Sequence, residues 1–234
     1  MDFWYSFSKS ILRTYMAVFI RSIHIRGQDK IQPGPKIFVA NHPNVTDAFI
    51  LPFIVREKLH FLVQAEAFNL PILGRLLKLA DQIPVARNRG QEALASAREK
   101  LTDGHAVAIF PEGRLSPAEG FRRPASGAAR LALETGAPLV PIGFFVPPKF
   151  TRSFRGDFFD RGAVGRIQMG GQCFVQIGDP WRMNVARKVD QSYRNLRELT
   201  ENLMDRIAAL VQQAQKHAEG LGSFVQGDLS DTPD

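Results

Sequence analysis

Of the five histidines in this chain, His42 is the one that directly follows an apolar run readable as a buried strand, and a loop at such a point presents its side chains to a cleft. Asp47 comes five residues later, in Asn41-His42-Pro43-Asn44-Val45-Thr46-Asp47. A carboxylate that holds one ring nitrogen fixes the tautomer and leaves the other nitrogen as a general base, typically worth about 10²–10⁴-fold in rate. On a continuous helix that spacing would turn the two side chains about 140° apart. The pair therefore needs a loop, with Pro43 delaying the helix and Asp47 entering its first turn, where the helix dipole favours a carboxylate. Read alone, Asp47 suits a plain helix cap equally well. The local sequence offers Thr46 but no Ser or Cys at a sharp turn, which leaves a substrate hydroxyl as the nucleophile.

Two further groups lie at the ends of expected strands. Ile109-Phe110-Pro111-Glu112-Gly113-Arg114 places a carboxylate, a close backbone approach and a guanidinium fork within one turn, and such a fork suits a phosphate ester. A structural turn closed by an internal ion pair is the other reading of the same residues. Ile83-Pro84-Val85-Ala86-Arg87 again ends in an arginine, with Arg89 close behind; solvated surface arginines are the plainer account. Ligand sites in α/β sheets gather at the carboxyl ends of strands, so three strand ends bearing His/Asp, Arg and Glu/Arg carry more weight together than singly.

The elements that must position these groups alternate between short apolar runs and amphipathic stretches, the mark of an α/β layer arrangement. Strands are expected over 36–40, 59–63, 82–86, 106–110 and 139–146, with helices from about Thr46, over 90–102 and over 126–135, the last two stopped by Gly104 and Gly136. Residues 147–166 have little periodicity and read as a long loop. Residues 167–169 and 172–177 flank Gly170-Gly171 as a two-residue hairpin. A final amphipathic helix carries Val189, Tyr193, Leu196, Leu203, Ile207 and Leu210 on one side. The expected fold class is α/β, a single domain with a mixed, mostly parallel sheet flanked by helices: an N-terminal amphipathic helix over 1–26, the domain over 27–219 and a polar, disordered tail over 220–234.

In the N-terminal helix, Ser6, Lys9, Ser10, Arg13, Ala17 and Arg21 form a narrow polar or small stripe, and aromatic and aliphatic residues occupy the rest. That pattern suits the headgroup boundary of a membrane, or equally a helix packed on its own domain. Lys9, Arg13 and Arg21 interrupt every run long enough to span a bilayer, and the segment lacks the form of a secretory signal. The expected place is thus the cytoplasmic side of a membrane, peripherally or monotopically associated. Thirty Lys+Arg against 23 Asp+Glu give +7, which favours an anionic partner. The arginines are dispersed and form no basic-aromatic motif, which argues against nucleic acid. Cys173, the single cysteine, excludes an internal disulfide and a thiolate metal cluster and reads as packing; no metal site is expected.

The order Asn-His-x4-Asp, Ile-Pro-Val-x-Arg, Phe-Pro-Glu-Gly and Val-Pro-Ile, carried between about Ile37 and Val146, resembles the four motif blocks of the glycerolipid acyltransferases, the 1-acyl-sn-glycerol-3-phosphate acyltransferase family. The resemblance implies that His42 is the general base and Asp47 its orienting partner. It implies that Arg87 with Glu112, Gly113 and Arg114 holds the acceptor's phosphate, and that Val140, Pro141 and Ile142 shape the substrate site. It further implies direct transfer of a fatty acyl group from acyl-CoA or acyl carrier protein, with no cofactor, to a lysophospholipid hydroxyl, 1-acyl-sn-glycerol-3-phosphate foremost. Two departures concern the acceptor. Arg114-Leu115 stands where the family commonly reads Thr-Arg, and the Phe121–Gly127 connection is longer than usual. Another lyso-lipid acceptor, a thioesterase-like hydrolase and a non-catalytic lipid-binding protein are the competing readings.

Overall fold

The fold grows outward from β2 (Lys36–Ala40), a strand buried at every position. Ile37 and Val39 enter one apolar cluster, Phe38 and Ala40 the other, as the two-residue alternation of a strand requires. A strand apolar on both faces needs helices on both sides. Lys36 is tolerated there because its ammonium meets Glu57 at 2.7 Å. The computed structural model describes residues 3–156, 163–183 and 193–227.

β5 (Ala106–Ile109) and β6 (Leu139–Phe145) flank β2 in parallel, with Phe38 opposite both Ala108 and Val140. β3 (Leu59–Gln64) and β4 (Ile83–Val85) extend the β5 side. β9 (Gln172–Ile177) and β1 (Ser22–Arg26) extend the β6 side, giving the order β1-β9-β6-β2-β5-β3-β4. Among the described residues, the β6–β9 pairing is the one antiparallel strand pairing within this sheet. The mostly parallel mixed sheet expected from the sequence is therefore present, and β4, β3, β5, β2 and β6 point their carboxyl ends the same way.

α1 (Phe3–Phe19) and α2 (Asp47–Ile54) pack on the Phe38 face, while α4 (Gly90–Thr102), α5 (Gly127–Thr135) and α6 (Tyr193–Gly227) pack on the Ile37 face. Gly143 admits α6: a Cβ there would lie 2.5 Å from the Leu210 backbone, so any side chain would push the helix off the sheet.

Five expectations need correction. The N-terminal helix stops at Phe19 instead of running to residue 26, and Ser22–Arg26 becomes β1, paired in parallel with β9. Its Ser-Ile-His-Ile-Arg alternation is a strand pattern that helical spacing had absorbed. A short helix, α3 (Leu73–Leu79), follows β3 where no element was expected. Residues 147–166 are not a featureless loop, since β7 (Thr151–Gly156) and β8 (Ala163–Gln168) form a separate antiparallel hairpin. Gly170-Gly171 is consequently not a hairpin turn: β8 pairs with β7, and the glycines carry the chain across to β9 in the main sheet. Finally, α6 continues through Gly227, past the tail onset expected at Gly220. Residues 228–234 and Val189, which was assigned to the final helix, lie outside the described residues, as does the side chain of Tyr193.

The polar stripe of α1 also turns out differently. Lys9 is not on a wet face: its Nζ donates to the Pro52 carbonyl at 2.6 Å, one of the carbonyls that the end of α2 leaves without a helical partner. Burial, with Arg13 nearby, lowers the Lys9 pKa below the usual lysine value. Tyr5 Oη accepts the Leu59 N–H at 3.0 Å and Tyr15 Oη donates to the Gln168 carbonyl at 2.7 Å, so α1 is anchored to α2, β3 and the hairpin. Phe3, Trp4, Phe7 and Ile11 remain exposed on its outer side, and Ile72 and Leu73 are exposed at the start of α3, which α1 touches. Among the described residues no helix is long and apolar enough to cross a membrane.

Candidate active site

The carboxyl end of β2 releases the chain into the loop Asn41–Thr46, and Asn41 fixes where that loop begins. Its side-chain amide donates to the Phe144 carbonyl at 2.9 Å and accepts the Phe144 N–H at 2.7 Å. It thus replaces ladder bonds that β6 would otherwise lack at its end. His42 follows with its backbone tied to Ser116: the His42 N–H donates to Ser116 Oγ at 3.1 Å and the Ser116 N–H to the His42 carbonyl at 2.8 Å.

The loop brings His42 Nδ1 to 3.3 Å from Asp47 Oδ2. Asp47 is the first residue of α2 and fully buried, and the same oxygen accepts the Asn44 N–H at 2.7 Å. Burial raises the Asp47 pKa above the usual carboxylate range, opposed by the His42 hydrogen bond and charge, by the Asn44 amide and by the Arg166 charge. The His42 ring lies on the Phe110 ring, with centroids 3.9 Å apart and planes 13° from parallel. Its side chain is 17% exposed, and Nε2 makes no hydrogen bond to the described residues. One nitrogen held by a buried carboxylate and the other open is the arrangement a general base requires.

Glu112 is brought beside this pair, but it faces inward. Its carboxylate accepts Ser116 Oγ–H at 2.5 Å and the Arg122 N–H at 2.8 Å, so it sets the course of the loop instead of pointing into solvent. Gly113 makes the turn at φ +67°, a left-handed conformation that strains other residues, and its carbonyl accepts Gln64 Nε2 at 3.0 Å. Arg114 is exposed on the same turn. Arg87 lies two residues beyond Val85, which pairs with Gln64, so its strand end borders the Gly113 turn; the Arg87 side chain is exposed. Val140, Pro141 and Ile142 lie within β6, all buried, with Ile142 opposite Ala40. They support the strand beneath the loop, and the β6 residue bonded to the loop is Phe144.

Residues to which the sequence assigns no role do much of the positioning. Ser116 joins the two loops, Phe110 supports the imidazole, and Arg166 of β8 donates Nε to the Pro43 carbonyl at 2.9 Å. Ser116 carried a signal in its place shortly after Pro-Glu-Gly, whereas Arg166 sits in a stretch without periodicity. Cys173 is buried, its thiol pushed well above the usual range by burial and by the Asp47 charge, in keeping with packing. His60 is at the amino end of β3, away from this site, where Nε2 meets His105 Nδ1 at 3.0 Å. Among the described residues no group of three metal-ligating side chains comes together.

Comparison with known proteins places the chain in a family. A family model described as Acyltransferase matches residues 22–144, which include the whole His42–Asp47 loop and the Glu112 turn. The chain belongs to the acyltransferase family. A lyso-ornithine lipid O-acyltransferase of Pseudomonas aeruginosa is 29% identical over 68% of this chain and 67% of its own length. A 1-acyl-sn-glycerol-3-phosphate acyltransferase of Chlamydomonas reinhardtii is 30% identical over 51% of this chain; the matched part spans 37% of that relative's length. Among solved structures, the 1-acyl-sn-glycerophosphate acyltransferase PlsC of Thermotoga maritima superposes with a TM-score of 0.59 at 22% identity, covering 87% of this chain and 76% of that one. The two proteins thus share their α/β fold.

Proposed function

We propose that this protein transfers a fatty acyl group from an acyl thioester, acyl-CoA or acyl carrier protein, to the free hydroxyl of a lysolipid, with 1-acyl-sn-glycerol-3-phosphate the leading acceptor. The observation that carries the reading is the His42 ring, held through Nδ1 by the buried Asp47 and open at Nε2. In this scheme Nε2 takes the proton of the acceptor hydroxyl as its oxygen attacks the thioester carbonyl. The C–S bond then breaks, the ester forms, and the proton goes to the departing thiolate. No acyl-enzyme and no cofactor enter, because the nucleophile is the substrate's own hydroxyl. His42 and Asp47 are the catalytic residues of the scheme, and Arg87, Gly113 and Arg114 face the acceptor's anionic headgroup while Glu112 shapes their turn.

A lyso-aminolipid acceptor is the second reading. It is supported by Leu115, which stands where an arginine is usual in the family motif, and by the lyso-ornithine specificity in the name of the Pseudomonas relative. Thiol release from a long-chain acyl-CoA, measured with and without a panel of lysolipids, tests both. Release that requires one lysolipid establishes transfer and names the acceptor. Acceptor-independent release supports hydrolysis, and silence with both CoA and carrier-protein donors supports a lipid-binding protein. If the acceptor is a phosphate ester, Arg87→Ala raises its KM with kcat little changed, since ground-state binding is what the substitution removes; unchanged acceptor kinetics refute that role.

The exposed apolar side of α1, together with Ile72 and Leu73, is proposed to rest on the cytoplasmic face of a membrane, where acceptors reside. Deleting the segment is a poor test, because Tyr5, Met16 and Ile20 are buried in the domain and β1 is part of the sheet. Phe7→Ser with Ile11→Ser leaves those contacts in place. Co-sedimentation of this double variant with anionic liposomes is expected to fall well below wild type, and equal binding would leave α1 as packing alone.

A further inference from the structure

The two loops that build the site leave neighbouring strands, so their carbonyls lack partners in any ladder. Arg166 supplies them. From β8, outside the seven-stranded sheet, its Nε donates to the Pro43 carbonyl at 2.9 Å. Its terminal nitrogen donates to the Ser116 carbonyl and, at 3.4 Å, to the Pro117 carbonyl. The Arg166 carbonyl in turn accepts the Val45 N–H at 2.9 Å. One partly buried residue therefore holds the Asn41–Thr46 loop on two sides and fastens it to the loop after Glu112. A planar guanidinium with five N–H donors spans such divergent acceptors, and an ammonium does so less well.

We propose that Arg166 is a positioning residue for the His42–Asp47 pair, fixing the imidazole relative to the Glu112–Pro117 loop across which the acceptor must lie. The proposal rests on the acyl-transfer reading above for its consequence in catalysis, though not for the clamp itself. The hairpin thereby belongs to the site's machinery. It is tied to α1 as well, where Tyr15 Oη donates to the Gln168 carbonyl at 2.7 Å. Arg166 also acts through charge. The groups that face Asp47 electrostatically are His42 from its own loop, Arg166 from β8 and Cys173 from β9. Of these, the Arg166 guanidinium favours the carboxylate.

The test compares Arg166→Ala and Arg166→Lys by steady-state acyl transfer over a pH series and by amide hydrogen exchange. In Arg166→Ala, kcat is expected to fall on the order of 10²-fold, the cost of misplacing a catalytic group by about 1 Å, with KM for donor and acceptor unchanged. The acid limb of kcat/KM moves to higher pH in Arg166→Ala and stays in place in Arg166→Lys, which also recovers part of kcat. The Asn44, Val45 and Ser116 amides lose protection in Arg166→Ala while Val39 and Ala108, in the central strands, keep theirs. A wild-type kcat in Arg166→Ala overturns the proposal. So does an equal loss in both variants with the acid limb fixed, or general loss of strand protection, since these report damage to the fold. Should the wild-type protein transfer no acyl group to any acceptor, the functional reading fails by itself, and exchange still decides the clamp: retained protection of Asn44 and Ser116 in Arg166→Ala refutes it.

Discussion

His42→Ala is expected to abolish acyl transfer while leaving the protein folded. The imidazole is proposed to remove a proton in the transition state, so its loss appears in kcat, with the factor of about 10²–10⁴ typical of general base catalysis as the minimum expected. A modest loss of stability is expected, since the ring's contact with Phe110 and its hydrogen bond to the buried Asp47 are lost, but the fold is retained. The backbone bonds of residue 42 to Ser116 do not depend on the side chain. A thermal melt beside the thiol-release assay separates the two effects. Near-wild-type transfer by this variant would remove His42 from the mechanism, and a protein that no longer melts cooperatively would make the site a structural one.

Asp47→Asn is expected to lose a comparable factor in kcat for a different reason, and to melt no lower than wild type at neutral pH. An amide donates where the carboxylate accepted, so Nδ1–H loses its acceptor and the imidazole its fixed tautomer. The stability side follows from burial, which raises the Asp47 pKa above its unfolded value despite the opposing His42, Asn44 and Arg166 interactions. Below the unfolded pKa both states hold the proton and no penalty exists. As pH rises from there through the raised folded pKa, the unfolded chain releases its proton first, and the folded state loses stability over that window. Asparagine has no charge to bury, so the variant lacks this decline. Melting temperature measured from pH 4 to 8 in both proteins checks it; a variant that melts progressively lower than wild type as pH rises would show the carboxylate to be a net stabiliser. Activity lost together with stability retained is the signature of a group kept for catalysis at a cost to the fold.

How much of this was legible in advance depended on whether the signal was local. β2, β3, β5 and β6 were readable because continuous apolar runs of strand length have few other homes in an α/β chain. α4 and α5 were readable because Gly104 and Gly136 end amphipathic stretches. Ser22–Arg26 was misread because its five residues, adjoining a strongly helical segment, fit either period, and only pairing with β9 selects the strand. β7 and β8 were invisible because a two-stranded hairpin outside the main sheet needs no alternating apolar face. Helical spacing puts Lys9 on the polar stripe of α1, whereas the end of α2 offers it a carbonyl.

The site divides along the same line. Sequence by itself determined the candidates for the chemistry: His42 and Asp47 come together because a proline after the histidine delays the helix that the aspartate begins, and a short loop leaves little freedom for any other pairing. It also determined that Glu112, Gly113 and Arg114 follow a strand. What only the tertiary structure decided was the use of those groups. Glu112 turns inward to Ser116 and Arg122, Phe110 supports the imidazole, and Arg166 reaches across from a hairpin more than a hundred residues further along the chain. Such contacts are chosen by the adjacency of strand ends and by backbone groups left without partners at them. Both are properties of the assembled sheet, and no local spacing encodes them.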